Sequence, residues 1–180
     1  MSVKITYFVH GTTTDNIEHK STGWMPGVLS QKGIDQSILL KDQVDINQFD
    51  LVICSDLQRA IDSAKYTFEG VKEIISDARI RECNYGDFNG EDSSLVVYED
   101  HIEDNFPNGE CLLDVEKRVR DFANYLLENY DGKHIAIVAH RAPQLAFEVI
   151  TKGKTWEEAL ADDWRKTKAW QPGWEYIINN

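Results

Sequence analysis

The sequence predicts a layered α/β fold with a mostly parallel central sheet, and two observations support this prediction. Short apolar runs rich in β-branched and aromatic residues occur at residues 4–9, 50–54, 73–75, 134–139 and 174–178. Helical patterns separate most of these runs, and strands that alternate with helices form parallel sheets. Ligands of such sheets bind beyond the carboxyl ends of the strands. The residues that follow each predicted strand are therefore the first candidates for a functional site.

The first predicted strand ends at a histidine followed by a glycine. A rigidly held strand-end histidine can direct one ring nitrogen into a cleft, so His10 is a candidate ligand or nucleophile. Gly11 allows close approach of the backbone to a ligand, while Thr13 and Asn16 offer hydrogen-bond donors. A purely structural role is the more common explanation for an isolated histidine of this kind.

The segment after the first strand predicts a loop and then two helices. Residues 19–27 contain Gly23 and other turn residues, and Ser30 is expected to cap a helix that ends near residue 40. The second strand is followed by the pattern Ser-Asp-Leu-Gln at 55–58, which predicts a capping box and a helix to about residue 68. Arg59 would then lie in the first turn of that helix, at the same sheet edge as His10. The alternative interpretation is that Arg59 is a solvated arginine on the surface.

Two segments of different character follow the third strand. Residues 79–90 contain two glycines and two aromatic residues, which favours an ordered loop, and this loop includes Glu82. Residues 91–108 are acidic and polar and predict either a solvated mobile segment or a lid. Apolar positions at helical spacing then predict a helix over 114–129.

The fourth predicted strand ends at a second histidine, His140. Pro143 suits the first turn of the helix that follows, and Thr155 with Glu158 forms a capping-box pattern for a further helix. Four late tryptophans are expected in the core or on a stacking surface rather than in a binding site: Trp156, Trp164, Trp170 and Trp174. Three separate strands therefore direct His10, Arg59 and His140 to one sheet edge, and this combination predicts an anion site.

Composition limits the possible classes of function. The 180 residues suit one domain spanning 1–180, and a formal charge of −12 without a basic patch argues against nucleic acid or an anionic membrane as partner. The three cysteines are scattered, so free thiols and no metal site are expected. The chain lacks long apolar stretches and a secretory signal pattern, and we expect a cytoplasmic protein. A small phosphorylated substrate remains compatible with this charge.

Five segments, in order along the chain, resemble the histidine phosphatase (phosphoglycerate mutase-like) superfamily. V-H-G-T-T-T-D-N at 9–16 resembles R-H-G-E-T-x-x-N, and S-D-L-Q-R-A at 55–60 resembles S-D-L-x-R-A. R-I-R-E at 79–82, with glycines at 86 and 90, is similar to R-L-R-E-x-x-x-G-x-x-x-G. F-P-N-G-E at 106–110 resembles P-x-G-E, and V-A-H at 138–140 resembles V-S-H.

The resemblance implies a three-layer α/β sandwich, phosphoglycerate mutase-like, and phosphoryl transfer through a phosphohistidine. His10 would be the nucleophile, Arg59 and His140 phosphate ligands, and Glu82 the proton donor to the leaving alcohol. The predicted phosphate- or substrate-binding set is Gly11, Thr13, Asn16, Gly23, Arg141 and Ala142. We expect no cofactor and no metal ion, and the oligomeric state stays open.

Two positions depart from the superfamily pattern. Val9 replaces the arginine before the catalytic histidine, which removes one guanidinium from the phosphate site. A charge-assisted hydrogen bond contributes roughly 1.5–3 kcal/mol, so its loss costs about one to two decades in rate or affinity. Arg141 stands where a glycine is usual, and we hypothesise that it returns the missing charge; the alternative is a solvent-facing residue at a helix start. Thr12 replaces a glutamate, and nothing in the sequence explains this change.

Three functions compete at this point. The first is a phosphomonoesterase for a small substrate, and the second is a mutase that moves phosphate within one molecule. The mutase ranks lower because only 27 positions separate Glu82 from Gly109 (109 − 82), whereas mutases of the superfamily tend to carry longer inserts there. The third is a degenerate domain that binds a phosphorylated ligand without turnover; Val9 favours it, while the presence of Glu82 argues against it.

Overall fold

A computed structural model describes residues 1–179 and contains one five-stranded sheet. The strands are β1 (Ser2–Val9), β2 (Leu51–Ser55), β3 (Ile74–Asp77), β4 (His134–Ala139) and β5 (Trp174–Asn179), in the spatial order β3-β2-β4-β1-β5. The first four are mutually parallel, and β5 runs antiparallel to β1 at the edge. The prediction of a mostly parallel α/β sheet is confirmed.

Seven helices connect or follow these strands. They are α1 (Thr14–Ile17), α2 (Gln31–Gln43), α3 (Gln58–Phe68), α4 (Leu112–Asn129), α5 (Arg141–Lys152), α6 (Trp156–Ala161) and α7 (Trp164–Thr167). Helices α2 and α3 cover one face of the sheet, and α4 and α5 cover the other. This arrangement is the predicted three-layer sandwich.

The two faces of the sheet bury cores of different size. The larger core packs Val115, Val119 and Phe122 of α4 against Ile5 and Ile137 of the central strands. The smaller core lies under α3 and centres on three aromatic rings, Phe8, Phe49 and Phe68. Burial of large apolar side chains on both faces fixes the central strands and therefore the residues at their carboxyl ends.

The predicted helix caps are confirmed for α2 and α6 but not for α3. Ser30 and Thr155 cap α2 and α6 as predicted, and Thr155 forms its capping box with Glu158. The capping box predicted at Ser55 is wrong. The Ser55 hydroxyl accepts a hydrogen bond from the Leu57 amide, and α3 begins at Gln58 without a side-chain cap. Ser55 is the last residue of β2, so its hydroxyl serves the turn between strand and helix.

The acidic segment 91–108 is exposed along most of its length but is folded around two buried rings. It forms short 3-10 turns at Ser93–Leu95 and Tyr98–His101, and it buries Tyr98 and Phe106 almost completely. The two buried rings tie this segment to the loop at 79–90, because Tyr85 contacts both of them. The charges lie on the outside of a packed segment.

Two further features concern the whole described chain. Cys54, Cys83 and Cys111 are buried free thiols, as predicted. None of the helices of residues 1–179 combines the length and the apolar character needed to traverse a bilayer.

Candidate active site

The register of the central strands brings two histidines side by side. Val9 of β1 pairs with Ala139 of β4, so the next residue of each strand, His10 and His140, extends from the same sheet edge. Their ring centroids are 5.1 Å apart. The buried Tyr7 hydroxyl accepts a hydrogen bond from the His140 amide and donates one to the His140 carbonyl, which fixes the backbone at the strand end.

The His10 ring is held in one tautomer. Its Nδ1 lies 2.7 Å from the carbonyl oxygen of Gly11, and because a carbonyl only accepts, Nδ1 must carry the hydrogen. Burial and the nearby Arg59 guanidinium lower the pKa of His10 from its usual value to about 3. The ring is therefore neutral near pH 7, and the lone pair of Nε2 is available for attack.

The His140 ring is completely buried, yet neither ring nitrogen has a hydrogen-bond partner within residues 1–179. Burial, followed by Arg59 and His10, lowers the pKa of His140 well below its usual value, so this ring is also neutral. Buried polar atoms without partners cost free energy. A neutral imidazole with an unpartnered N–H suits an oxygen atom of a bound ligand.

Arg59 comes from the first turn of α3, as predicted, and is buried beside the histidines. It donates from Nη2 to the Gly23 carbonyl at 2.7 Å and from Nη1 to the Met25 carbonyl at 3.4 Å. These bonds commit two of its five N–H groups. Gly23 has φ +54°, and a Cβ there would overlap the Asn89 side chain, so this turn favours glycine. The turn orients the guanidinium.

Glu82 lines the same cavity as His10 and Arg59 and is 6% exposed. Its Oε1 accepts hydrogen bonds from the amides of Cys83 and Ala142 at 2.9 and 3.0 Å and from the Tyr98 hydroxyl at 3.2 Å. Its Oε2 has no hydrogen-bond partner within residues 1–179. The carboxyl group is therefore held through one oxygen.

The backbone around Glu82 is held by side chains from distant segments. Arg118 of α4 donates to the carbonyl oxygens of Arg79, Arg81 and Glu82, and it also forms an ion pair with Glu110. The Trp24 indole donates to the same Glu82 carbonyl at 2.7 Å. Glu110 in turn accepts from the Asn84 amide. The glutamate of the F-P-N-G-E motif thus supports the loop that carries Glu82.

A cavity of 710 Å³ adjoins the histidine pair. It is lined by His10, Arg59 and Glu82, by the loop at 19–23, by one side of α2 and by the segment that follows α6. Gly11 also lines the cavity and packs tightly against α2, since a Cβ there would lie 2.4 Å from the Gly33 carbonyl oxygen. Within residues 1–179, the histidine, cysteine and carboxylate side chains form no cluster suited to a metal ion.

The sequence of residues 7–147 matches the histidine phosphatase superfamily (branch 1). The chain belongs to this superfamily. The 2,3-bisphosphoglycerate-dependent phosphoglycerate mutase of Bartonella tribocorum is 26% identical over 172 residues, covering 86% of this chain and 84% of that protein. The adenosylcobalamin/alpha-ribazole phosphatase of Salmonella typhimurium is 28% identical over 145 residues, covering 73% and 71%.

Solved structures give the same result for the fold. Bacillus stearothermophilus YhfR superposes with a TM-score of 0.80 at 21% identity, over 98% of this chain and 91% of its own. The resemblance derived from the five motifs is confirmed, as is the prediction of a phosphatase-class enzyme.

Four of the predicted binding residues have hydrogen-bond partners within the protein. Thr13 is completely buried, and its hydroxyl caps α1 by accepting from the Asn16 amide; it does not line the cavity. Asn16 lines the cavity but directs Oδ1 to the Thr13 amide. The Gly11 amide donates to Ser63, and the Ala142 amide donates to Glu82. These two amides are therefore not available to a phosphate ligand.

Arg141 was expected to return a positive charge to the phosphate site, but its contacts lie elsewhere. Its Nε donates to the Asp163 carboxylate at 2.6 Å, and its guanidinium lies 4.3 Å from the centre of the Tyr98 ring. The residue does not belong to the lining of the cavity. The Arg141 charge is thus paired with the buried Asp163 carboxylate outside the cavity lining.

Sequence reasoning missed the contribution of the segment 163–170. Trp164, Arg165 and Trp170 line the cavity, whereas Trp156 and Trp174 are buried in the core as expected. Tyr98 was also missed, although it contacts Glu82. No local pattern marks these residues, because each reaches the site only through packing of distant segments.

Proposed function

We propose that this histidine phosphatase is a metal-independent phosphomonoesterase that acts on a small phosphorylated substrate through a phosphohistidine at His10. The observation that carries the proposal is the histidine pair. A neutral ring with a free Nε2 lies beside a second neutral ring whose two nitrogens have no partner among the described residues. A phosphoryl group bound between them would receive the nucleophile from His10 and a hydrogen bond from His140.

In the first half-reaction, Nε2 of His10 attacks phosphorus and the bond to the ester oxygen breaks. The negative charge on the phosphoryl oxygens requires fixed donors. Arg59 supplies them from one side and His140 from the other. Because the pKa of His10 is about 3, no base is needed to deprotonate the nucleophile near neutral pH.

Glu82 would protonate the leaving oxygen in the same step. An alkoxide is a poor leaving group, so proton donation contributes roughly 10²–10⁴-fold in rate. In the second half-reaction, Glu82 would accept a proton from water as the water attacks the phosphohistidine. The phosphorus–nitrogen bond then breaks, and inorganic phosphate leaves with His10 restored.

A mutase is the second candidate, favoured by the match to the phosphoglycerate mutase of Bartonella tribocorum over most of both chains. A mutase has to keep water away from the phosphohistidine until the second acceptor arrives. The segment between Glu82 and Gly109 is short and consists of turns, and His10 is only half-buried. Water access of this kind favours hydrolysis.

The test is phosphate release from a phosphomonoester panel by the purified wild-type protein and the His10→Ala variant. The panel includes alpha-ribazole phosphate, phosphoserine, glucosyl-3-phosphoglycerate, 3-phosphoglycerate, sugar phosphates and nucleoside monophosphates. Phosphate release above the His10→Ala background supports the proposal. Isomerisation of 3-phosphoglycerate without free phosphate favours the mutase, and no turnover across the panel favours a binding domain.

A rapid acid or base quench during turnover tests the intermediate. Phosphohistidine survives base and is lost in acid, so the wild-type protein should gain one phosphoryl group that the base-quenched sample retains. The His10→Ala variant should gain none. A phosphoryl group on another residue would contradict the assignment of the nucleophile.

A further inference from the structure

The cavity contains a second arginine that none of the superfamily motifs includes. Arg165, in α7, lines the same space as His10, Arg59 and Glu82. Its guanidinium lies 5.4 Å from the centre of the Trp164 ring and makes no ion pair or hydrogen bond within residues 1–179. Other arginines near the site are committed, since Arg81 binds Asp56 and Arg118 binds Glu110.

The position of Arg165 depends on Asp163. This carboxylate is 1% exposed and divides its two oxygens between two elements. Oδ1 accepts from the Arg165 amide at 3.0 Å and so caps α7, while Oδ2 accepts from Arg141 at the start of α5. The Asp163 carbonyl also accepts from the Lys166 amide. One buried residue therefore joins the first turn of α7 to the residue next to His140.

Two further contacts hold the same segment against the site. Lys166 forms an ion pair with Glu99 in the segment that carries Tyr98. The Trp164 ring packs on Trp174 of β5, with centroids 5.8 Å apart. The segment 163–167 is thus fixed at both ends although it lies on the surface, and this limits the region that the Arg165 side chain can reach.

We propose that Arg165 binds phosphoryl oxygens in place of the guanidinium absent at Val9, and that Arg141 and Asp163 position it. This inference rests on the proposed phosphoryl-transfer function. It also accounts for the paired change in the motifs, because the arginine after His140 acts through the Asp163 carboxylate instead of touching phosphate. Arg141 and Asp163 are positioning residues, and Arg165 contacts the substrate.

The charge distribution supports this assignment. Burial and Arg59 dominate the lowered pKa values of both histidines, and the Arg165 charge lowers both further. A cation whose charge acts on both rings lies close enough to attract an anion bound beside them. Such an anion would interact with both Arg59 and Arg165.

The experiment measures the affinity for inorganic phosphate by calorimetry, so that it does not depend on turnover. Arg165→Ala should weaken phosphate binding roughly tenfold or more, the loss expected for one charge-assisted hydrogen bond. Arg165→Lys should recover part of it, because the charge remains while the two-pronged geometry is lost. The matched control is Lys168→Asn, which removes an exposed cation of the same segment outside the cavity and should leave the affinity unchanged.

A double-mutant cycle tests the role of Arg141. Arg141→Ala should weaken phosphate binding, and combining it with Arg165→Ala should add little further loss, since Arg141 acts through Arg165. Thermal unfolding checks that each variant is folded. If Arg141→Ala unfolds the protein, Arg165→Ala and Arg165→Lys alone still decide the inference.

The outcomes separate this inference from the proposed function. Phosphate binding that depends on Arg165 in a protein without hydrolytic activity would support the inference and contradict the phosphomonoesterase. Hydrolysis with unchanged phosphate affinity in Arg165→Ala would leave the phosphomonoesterase intact and overturn the inference. A raised KM for carboxylated substrates alone would also overturn it, because Arg165 would then contact the leaving group. Absence of phosphate binding by the wild-type protein would overturn it as well.

Discussion

The candidate site has two sides that are built in different ways: a sheet edge, which carries His10 and His140, and a loop wall, which carries Glu82. His10 and His140 extend from adjacent parallel strands, and the ladder between β1 and β4 sets their separation. Glu82 lies on a loop and needs Tyr98, Arg118, Trp24 and the Ala142 amide to hold it. A sheet edge positions side chains through hydrogen bonds between backbone groups, which do not require particular side chains. A loop requires specific side chains from several elements, so its geometry is easier to disrupt.

Replacement of the proposed nucleophile on the sheet edge should have the largest effect on turnover. His10→Ala should reduce turnover on the order of 10⁴-fold or more, because it removes the ring nitrogen proposed to attack phosphorus. Phosphate should still bind, since Arg59 and His140 remain on the sheet edge. Initial-rate measurements together with calorimetry check both statements. Residual turnover within tenfold of wild type would remove His10 from the mechanism.

The next largest effect on turnover is expected for Glu82, the carboxyl group of the loop wall. Glu82→Gln should lower kcat by roughly 10²–10⁴-fold for alkyl phosphates, because the amide cannot donate the proton that an alkoxide needs. The loss should be much smaller for an aryl phosphate with an acidic phenol as leaving group. Parallel assays with the two substrate classes measure the difference. An equal loss for both would show that Glu82 orients the substrate instead of donating a proton.

The buried His140 at the sheet edge should make the free energy of unfolding depend on pH. The pKa of His140 is far below that of an exposed histidine, so the unfolded chain binds a proton at His140 below about pH 6.5 and the folded chain does not. The free energy of unfolding should therefore fall as pH drops below 6.5. The slope should be smaller in His140→Asn by up to about 1.4 kcal/mol per pH unit, the value for one proton.

Denaturant titrations of the wild type and of His140→Asn between pH 7 and pH 4 measure these slopes. His10→Asn provides a matched variant, because the pKa of His10 is also lowered and the same sign applies between pH 6.5 and about 3. If all three proteins show the same slope, the rings are not held neutral in the folded state.

The smallest expected effect concerns a single support of the loop wall. Tyr98→Phe removes the hydroxyl that donates to Glu82, while the amides of Cys83 and Ala142 remain. We expect a loss of about two- to tenfold in kcat, in line with one neutral hydrogen bond. Tyr85→Phe is the matched control, since its hydroxyl contacts Tyr98 and should affect kcat less. A larger loss in Tyr85→Phe would show that the tyrosine pair acts through packing.

The sequence predicted the residues of the sheet edge but not the contacts of the loop wall. The positions of His10, Arg59 and His140 follow from short patterns in which a buried strand ends and a helix begins, and these patterns are local. Thr13 and Ala142 were expected to bind phosphate or substrate, but each has a hydrogen-bond partner within the protein. The Thr13 hydroxyl caps α1, and the Ala142 amide binds Glu82, because both groups meet these partners before any ligand is present.

The α/β fold, the order of the motifs and the convergence of two histidines and one arginine can be predicted from local patterns, because parallel strands end at a common edge. The charges that remain available at that edge depend on tertiary packing. Arg141 is bound by a carboxylate 22 residues away, and Arg165 reaches the cavity through the same carboxylate. The partner of a charge depends on the packing of elements far apart in the chain, and no local pattern encodes that packing.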